Sequence, residues 1–204
     1  MTLQEITKKL KGSFSDPLVT DYPMGDYDYY SGKYSDKAPR KAAVLIPLIG
    51  RPTGVTILLT KRSKHLNVHP GQISFPGGQI EVDDLSICDT ALRETREEIG
   101  LSETQINVIG RLNQYFTRTG FSISPIVGIL NQNFKVTLNP QEVIQVFEVP
   151  LNFFLNVQNF RYDSYLKDGI YREFCAIPFK NHYIWGATAG MIKNLSDILI
   201  GDNN

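Results

Sequence analysis

Apolar and β-branched positions run almost unbroken over Ala42–Ile49 and again over Val55–Thr60, with Gly50-Arg51-Pro52-Thr53-Gly54 between them. Two such runs joined by a short Gly/Pro break predict strands paired in a hairpin. Gln72–Phe75 predicts a short third strand, ended by Pro76-Gly77-Gly78. The period then changes. Ser86–Ile99 has helical spacing and stops at Gly100, a residue suited to the left-handed end of a helix. Strands are predicted again at Ile106–Leu112, Ser122–Leu130, Val143–Val149, Phe160–Leu166, Tyr171–Ile177 and Tyr183–Trp185, and a last helix at Thr188–Leu199. Near the start, Thr2 and Glu5 have capping-box spacing, and Leu3, Ile6 and Leu10 share one face of a short amphipathic helix. Strands dominate, helices are inserted, and no fixed-period repeat occurs. The expected class is α/β with a mixed sheet.

From Gly12 to Arg40 the pattern dissolves into Ser, Asp, Pro, Gly and Tyr, including Tyr27, Tyr29, Tyr30 and Tyr34. The chain therefore divides into a helix and irregular arm over 1–40 and one folded domain over 41–204. Two readings of the arm stand: a strap packing its tyrosines across the domain, or a lid or contact between copies in a homodimer.

Composition narrows the function classes. The 204 residues carry 21 Lys+Arg against 21 Asp+Glu, so no global basic field recruits nucleic acid or an anionic membrane. No apolar run approaches the ~18 residues of a membrane span. Met1-Thr2-Leu3-Gln4-Glu5 lacks the charged-then-apolar order of a secretory signal, so a cytoplasmic protein is expected. Cys88 and Cys175 form no metal-type or redox pair and read as core thiols of a reducing compartment. His65 and His69 stand four apart, but Pro70-Gly71 breaks any helix that would align them on a metal.

On the predicted helix, Cys88, Ala91, Leu92, Thr95 and Ile99 form a core-facing stripe. Glu94, Glu97 and Glu98 gather on another face. Like charges so placed cost roughly 0.2–0.5 kcal/mol per pair on an isolated helix. Arg93, four before Glu97, offsets one of them. One reading is a solvated face; the other is a site for a hard divalent cation, which takes oxygen ligands. The preceding Phe75-Pro76-Gly77-Gly78 turn favours the second, because glycines admit close approach of backbone to a ligand.

Gly78, five intervening residues, Asp84, eight more, and then Arg93-Glu94-Thr95-Arg96-Glu97-Glu98-Ile99-Gly100-Leu101 resemble the Nudix box, G-x5-E-x7-R-E-U-x-E-E-x-G-U. Asp84 replaces a Glu, one extra residue precedes Arg93, and Thr95 stands at an apolar position. Upstream, Leu58-Leu59-Thr60-Lys61-Arg62-Ser63, then Gly71, then Phe75-Pro76-Gly77-Gly78, resemble the second motif of the coenzyme A pyrophosphatase branch, with Asn67 in place of its second Arg. The resemblance implies a Nudix-type α/β/α sandwich with a mixed β-sheet and a small-molecule nucleotide substrate. It implies Mg²⁺ or Mn²⁺ held by Glu94, Glu97, Glu98 and the Gly78 carbonyl, with Arg93 orienting a glutamate.

The reaction so implied is hydrolysis of coenzyme A or its derivatives to 3′,5′-ADP and 4′-phosphopantetheine. In the family the general base is a box glutamate or an acid from a later loop. Glu142 is a candidate for the latter, its alternative being a surface acid at a strand entry. Lys61, Arg62, Lys64, His69, Gly71, Gln72 and Gly77 are the expected substrate contacts. Arg62 is foremost among them, because a guanidinium binds phosphate oxygens in pairs; the alternative is an arginine paired with a nearby acid. A Nudix enzyme for ADP-ribose, dinucleotides or oxidised nucleotides is the nearest rival. A non-catalytic nucleotide-binding module is disfavoured by the intact glutamates.

Overall fold

The computed structural model describes residues 1–11, 24–25, 38–66 and 68–201. Asn67 and the tyrosine arm lie outside the described residues, apart from Met24–Gly25 and residues 38–40 of the arm.

The first helix, α1 (Leu3–Leu10), starts as its capping box requires. The Thr2 backbone donates to Glu5 Oε2 at 2.7 Å, and the Glu5 N–H to Thr2 Oγ1 at 3.3 Å. Its apolar face seats Ile6 and Leu10 in the core, a burial that stabilises by roughly 1.5–3 kcal/mol per side chain. A two-residue strand, β1 (Met24–Gly25), precedes the predicted hairpin of β2 (Arg40–Arg51) and β3 (Gly54–Arg62), which closes with Arg51 opposite Gly54.

Next come β4 (Ile73–Ser74), β5 (Gly77–Gln79), α2 (Ile87–Ile99), β6 (Ile106–Arg111), β7 (Tyr115–Phe116), β8 (Phe121–Leu130) and β9 (Val143–Pro150). The chain continues through α3 (Leu151–Phe154), β10 (Arg161–Lys167), β11 (Ile170–Phe179), β12 (His182–Trp185) and α4 (Ala187–Ile200). The main sheet follows the order β1-β7-β8-β2-β3-β4, with β5 on β2, β6 on β8 and β9 on β3; β10-β11-β12 form a second sheet. β2 and β8 run parallel while β2 and β3 run antiparallel, which makes the main sheet mixed, as expected.

Strand alternation divides the core. Leu45 and Leu58 face α2 together with Ala91 and Ile99; Ile46, Ile57 and Leu59 face the opposite layer with α1, α3 and α4. The result is helices on both sides of a mixed sheet. Ser86 caps α2 by accepting from the Asp89 N–H, and Gly100 ends it at φ 72°. Thr95, on the core stripe, donates its hydroxyl to the Ala91 carbonyl at 2.6 Å, so a polar residue serves at an apolar position.

Cys88 is partly rather than fully buried, beside the α2 cluster, and burial pushes its thiol pKa up, with Asp89 adding to the effect. The thiolate is the reactive form, so native Cys88 is expected to alkylate more slowly than in the unfolded chain. Rapid native labelling accompanied by inactivation would contradict this placement.

Candidate active site

Two glycines set the floor of the site. A Cβ on Gly77 would overlap the Ala43 carbonyl and Val44 of β2, and one on Gly78 would overlap the Glu94 carboxylate. At these two positions of β5 a side chain would collide with β2 or with Glu94.

The loop from Gln79 to the start of α2 is fastened by Arg93. Its Nε donates to Asp84 Oδ1 at 2.9 Å and its Nη2 to Asp84 Oδ2 at 3.1 Å. Nη2 also reaches the Gln79 carbonyl at 3.1 Å, and Nη1 donates to Glu94 Oε1 at 2.9 Å and Glu97 Oε2 at 3.2 Å. Asp84 further accepts from Thr90 Oγ1 at 2.8 Å and the Glu81 N–H at 2.9 Å. The Arg93 guanidinium holds the Asp84 carboxyl well below the usual carboxylate range, and Asp84 holds Arg93 protonated in turn. Arg93 thus bonds two glutamates as well as the loop. The shorter Asp at position 84 reaches the guanidinium without difficulty.

The glutamates of α2 do not share one environment. Glu97 is exposed and occupied with Arg93, Glu94 is half-buried, and Glu98 is only 1% exposed. The reading of a solvated face therefore holds for Glu97 and fails for Glu98. Arg62 and the segment up to Glu142 pack over the end of the helix: Arg62 Nη1 meets Glu98 Oε1 at 3.4 Å, and the Asn139 N–H donates to the Glu98 carbonyl at 2.9 Å.

Into this corner the loop brings Glu142. Carboxylate oxygens of Glu94, Glu98 and Glu142 lie within 4.8 Å of one another. Glu142 is thus a neighbour of the helix acids, although 44 residues separate it from Glu98. Glu97 lies outside that group.

Burial pushes Glu98 up to about 8, against the partial relief of Arg62 and with further upward pressure from Glu142 and Glu94. Glu94 is also raised, first by burial and only partly relieved by Arg93. Glu98 Oε2 is buried without a hydrogen-bond partner among the described residues. A buried, orphaned carboxylate oxygen beside two further acids fits a hard divalent cation, whose positive charge resolves both the repulsion and the desolvation.

The expected substrate contacts separate. Arg62 stands at the acid cluster, paired with Glu98. Lys61 follows Ile57 and Leu59 onto the opposite side of β3, where its charge acts on His182, so strand alternation removes it from the acid corner. Lys64 and His69 are exposed on the loop after β3, and a Cβ on Gly71 would meet the Lys64 stem at 3.8 Å. That loop is closed by the Arg62 N–H donating to the Gln72 carbonyl at 2.9 Å. His69 and Gly71 both turn with positive φ, 55° and 70°. Sequence reasoning gave no role to Asn139, which donates to Glu142 Oε1 at 2.9 Å.

The family model of the NUDIX domain matches residues 39–161. NudL of Yersinia pestis (strain Pestoides F), an uncharacterized Nudix hydrolase, is 35% identical over 191 residues, covering 94% of this chain and 96% of the relative. This chain belongs to the Nudix family. Nudix hydrolases generally use divalent metal ions and bind nucleotide-derived small molecules, in keeping with the acid cluster. NudL of Yersinia pseudotuberculosis serotype O:1b (strain IP 31758) is similar to the same extent.

Among solved structures, the Nudix hydrolase RenU from M. smegmatis is 16% identical with a TM-score of 0.49, covering 65% of this chain and 80% of that one. A C. elegans Ap4A hydrolase binary complex is 21% identical with a TM-score of 0.46, covering 54% and 80%. No helix among the described residues is long and apolar enough to cross a membrane.

Proposed function

We propose that this Nudix hydrolase cleaves the pyrophosphate of coenzyme A or its derivatives, releasing 3′,5′-ADP and 4′-phosphopantetheine or its acyl form. The observation that carries the reading is the upstream segment Leu58–Gly78, which matches the coenzyme A motif in register. This segment begins on β3, passes the acid cluster at Arg62, and returns to the glycine floor beneath Glu94. A pyrophosphate is kinetically inert because its anionic oxygens repel an incoming hydroxide. Bound Mg²⁺ or Mn²⁺ would neutralise those oxygens and acidify a water. Glu94 and Glu98 would hold the ion, with Glu97 and the Gly78 carbonyl as further ligands from the box. Arg93 fixes the direction of Glu94. Glu142, reaching the corner from outside the helix, is assigned as the general base.

Arg62 pairs with Glu98, which supports a role at the pyrophosphate rather than at the 3′-phosphate. Arg62→Ala is then expected to lower kcat/KM alike for coenzyme A and dephospho-coenzyme A. Lys64, exposed on the loop, is the better reader of the 3′-phosphate. One charge-assisted contact contributes ~1.5–3 kcal/mol, which corresponds to roughly 10- to 100-fold discrimination. Lys64→Ala should therefore cost that factor on coenzyme A and little on dephospho-coenzyme A; equal losses would remove Lys64 from this role.

The test of the function is a panel of coenzyme A, acyl-coenzyme A, ADP-ribose, NADH and nucleotides with Mg²⁺ or Mn²⁺, products identified by mass. Efficient ADP-ribose cleavage without coenzyme A cleavage would overturn the substrate assignment. That second reading is favoured by Asn67, which lacks the charge of the motif's second Arg.

A further inference from the structure

The third acid of the site sits on a loop, yet it must be held as firmly as the two on the helix. Asn139 ties that loop together. Its N–H donates to the carbonyl of Glu98 itself at 2.9 Å, and its own carbonyl accepts from the Glu142 and Val143 N–H groups at 3.0 and 2.8 Å. Its side chain then divides its work. Oδ1 accepts from the Gln141 N–H at 3.2 Å, forming an Asx turn over Pro140, while Nδ2 donates to Glu142 Oε1 at 2.9 Å. The reverse amide orientation would set oxygen against carboxylate and leave the Gln141 N–H unpaired, so the network admits one arrangement. On its far side Glu142 is clamped through its carbonyl, which accepts from the Ser63 N–H at 2.7 Å beside Arg62. Among the described residues, no other donor is bonded to the Glu142 carboxylate.

We propose that Asn139 is the positioning residue of Glu142: one side chain both shapes the loop and aims Glu142 at Glu94 and Glu98. The proposal rests on the reading of the acid cluster as the hydrolytic centre. An aspartate in its place separates the two duties, since it keeps an oxygen for the Gln141 N–H but has no donor for Glu142. It also adds a fourth carboxylate to the corner.

The experiment is a double-mutant cycle with Asn139→Ala, Asn139→Asp, Glu142→Gln and Asn139→Ala/Glu142→Gln. Each protein is measured for Mn²⁺ affinity by calorimetry without substrate, for kcat and KM separately on the wild type's substrate, and for melting temperature. Partners that orient ligands typically count for 10–100-fold in metal affinity or activity. Asn139→Ala should lose that factor in whichever of Mn²⁺ affinity and kcat responds to Glu142→Gln, with KM changed less than about twofold. The double variant should be no worse than Glu142→Gln alone, because the donor has lost the carboxylate it positions. Asn139→Asp should lose at least as much as Asn139→Ala while melting near wild type.

Additive losses in the double variant, or an Asn139→Asp protein with wild-type affinity and turnover, would overturn the proposal. So would a Glu142→Gln protein unchanged in both readouts. If the wild type hydrolyses none of the panel, the functional reading fails, and the Mn²⁺ cycle alone decides the role of Asn139.

Discussion

Glu98→Gln is expected to lower turnover by ~10²–10⁴ and, in metal-free protein above pH 8, to raise the melting temperature. Both follow from one side chain, 1% exposed, with an unpartnered oxygen and two acids beside it. Its folded pKa, about 8, lies above the ordinary 4.5, so the folded protein holds this proton more tightly than the unfolded chain does. Below about pH 4.5 both states carry the proton and there is no penalty. As pH rises toward 8 the unfolded chain ionises first and the stability of the metal-free fold declines; above 8 the full penalty applies.

Glutamine removes that dependence. The gain should be on the order of 1–3 kcal/mol at high pH, roughly 3–10 °C for a chain of this size, and vanish near pH 5. A divalent cation acts in the opposite direction, favouring the charged carboxylate. Added Mn²⁺ should thus raise the wild-type melting temperature more at pH 8 than at pH 6, and raise that of the variant little. Activity within twofold of wild type, or a stability difference indifferent to pH, would contradict this account of Glu98.

Most of the frame is legible in the sequence because it is written in side chains. The capping pair Thr2 and Glu5, the hairpin break at Gly50–Gly54, Ser86 and Gly100 at the ends of α2, and the β-branched runs each carry a local signal, and the structure follows them. β5 is not legible. Gly77-Gly78-Gln79 has no strand propensity and forms a ladder only because β2 and α2 close on it from both sides. α3 is missed because four helical residues after Pro150 give no period to read.

In the site, a helical wheel places Glu94, Glu97 and Glu98 together but contains nothing of what covers them. Tertiary packing sends Glu97 to Arg93 and solvent, buries Glu98, and supplies Glu142 from a loop distant in sequence. The separation of Lys61 from Arg62 is a different case. It follows from the period-two alternation of β3, so the sequence already contained it.

Arg93 is the residue whose loss should combine the largest structural and catalytic effects. Arg93→Met keeps the aliphatic stem and removes the guanidinium donors to Asp84, Glu94, Glu97 and the Gln79 carbonyl. Asp84, its side chain 4% exposed, would keep only Thr90 and the Glu81 N–H. Breaking one side of a buried pair typically costs ~3–5 kcal/mol; the network opens to solvent at Glu81 and Glu97, so about 2–4 kcal/mol is expected here. The pH dependence has the opposite sign to that of Glu98. Asp84 is depressed in the fold, so its stabilisation is fully present above the unfolded carboxylate pKa near 4 and is lost as pH falls below it. The gap in melting temperature between wild type and Arg93→Met should therefore be wide at pH 7 and narrow progressively as pH falls below about 4. Arg93→Lys should recover only part of it, because a single ammonium cannot reproduce the paired bonds to Asp84. Turnover should fall by ~10–100-fold in Arg93→Met, since Glu94 loses the donor that directs it and the loop over the glycine floor loses its fastening. A pH-independent gap, or an Arg93→Lys protein equal to wild type in both stability and turnover, would show that the paired guanidinium bonds do not hold this loop.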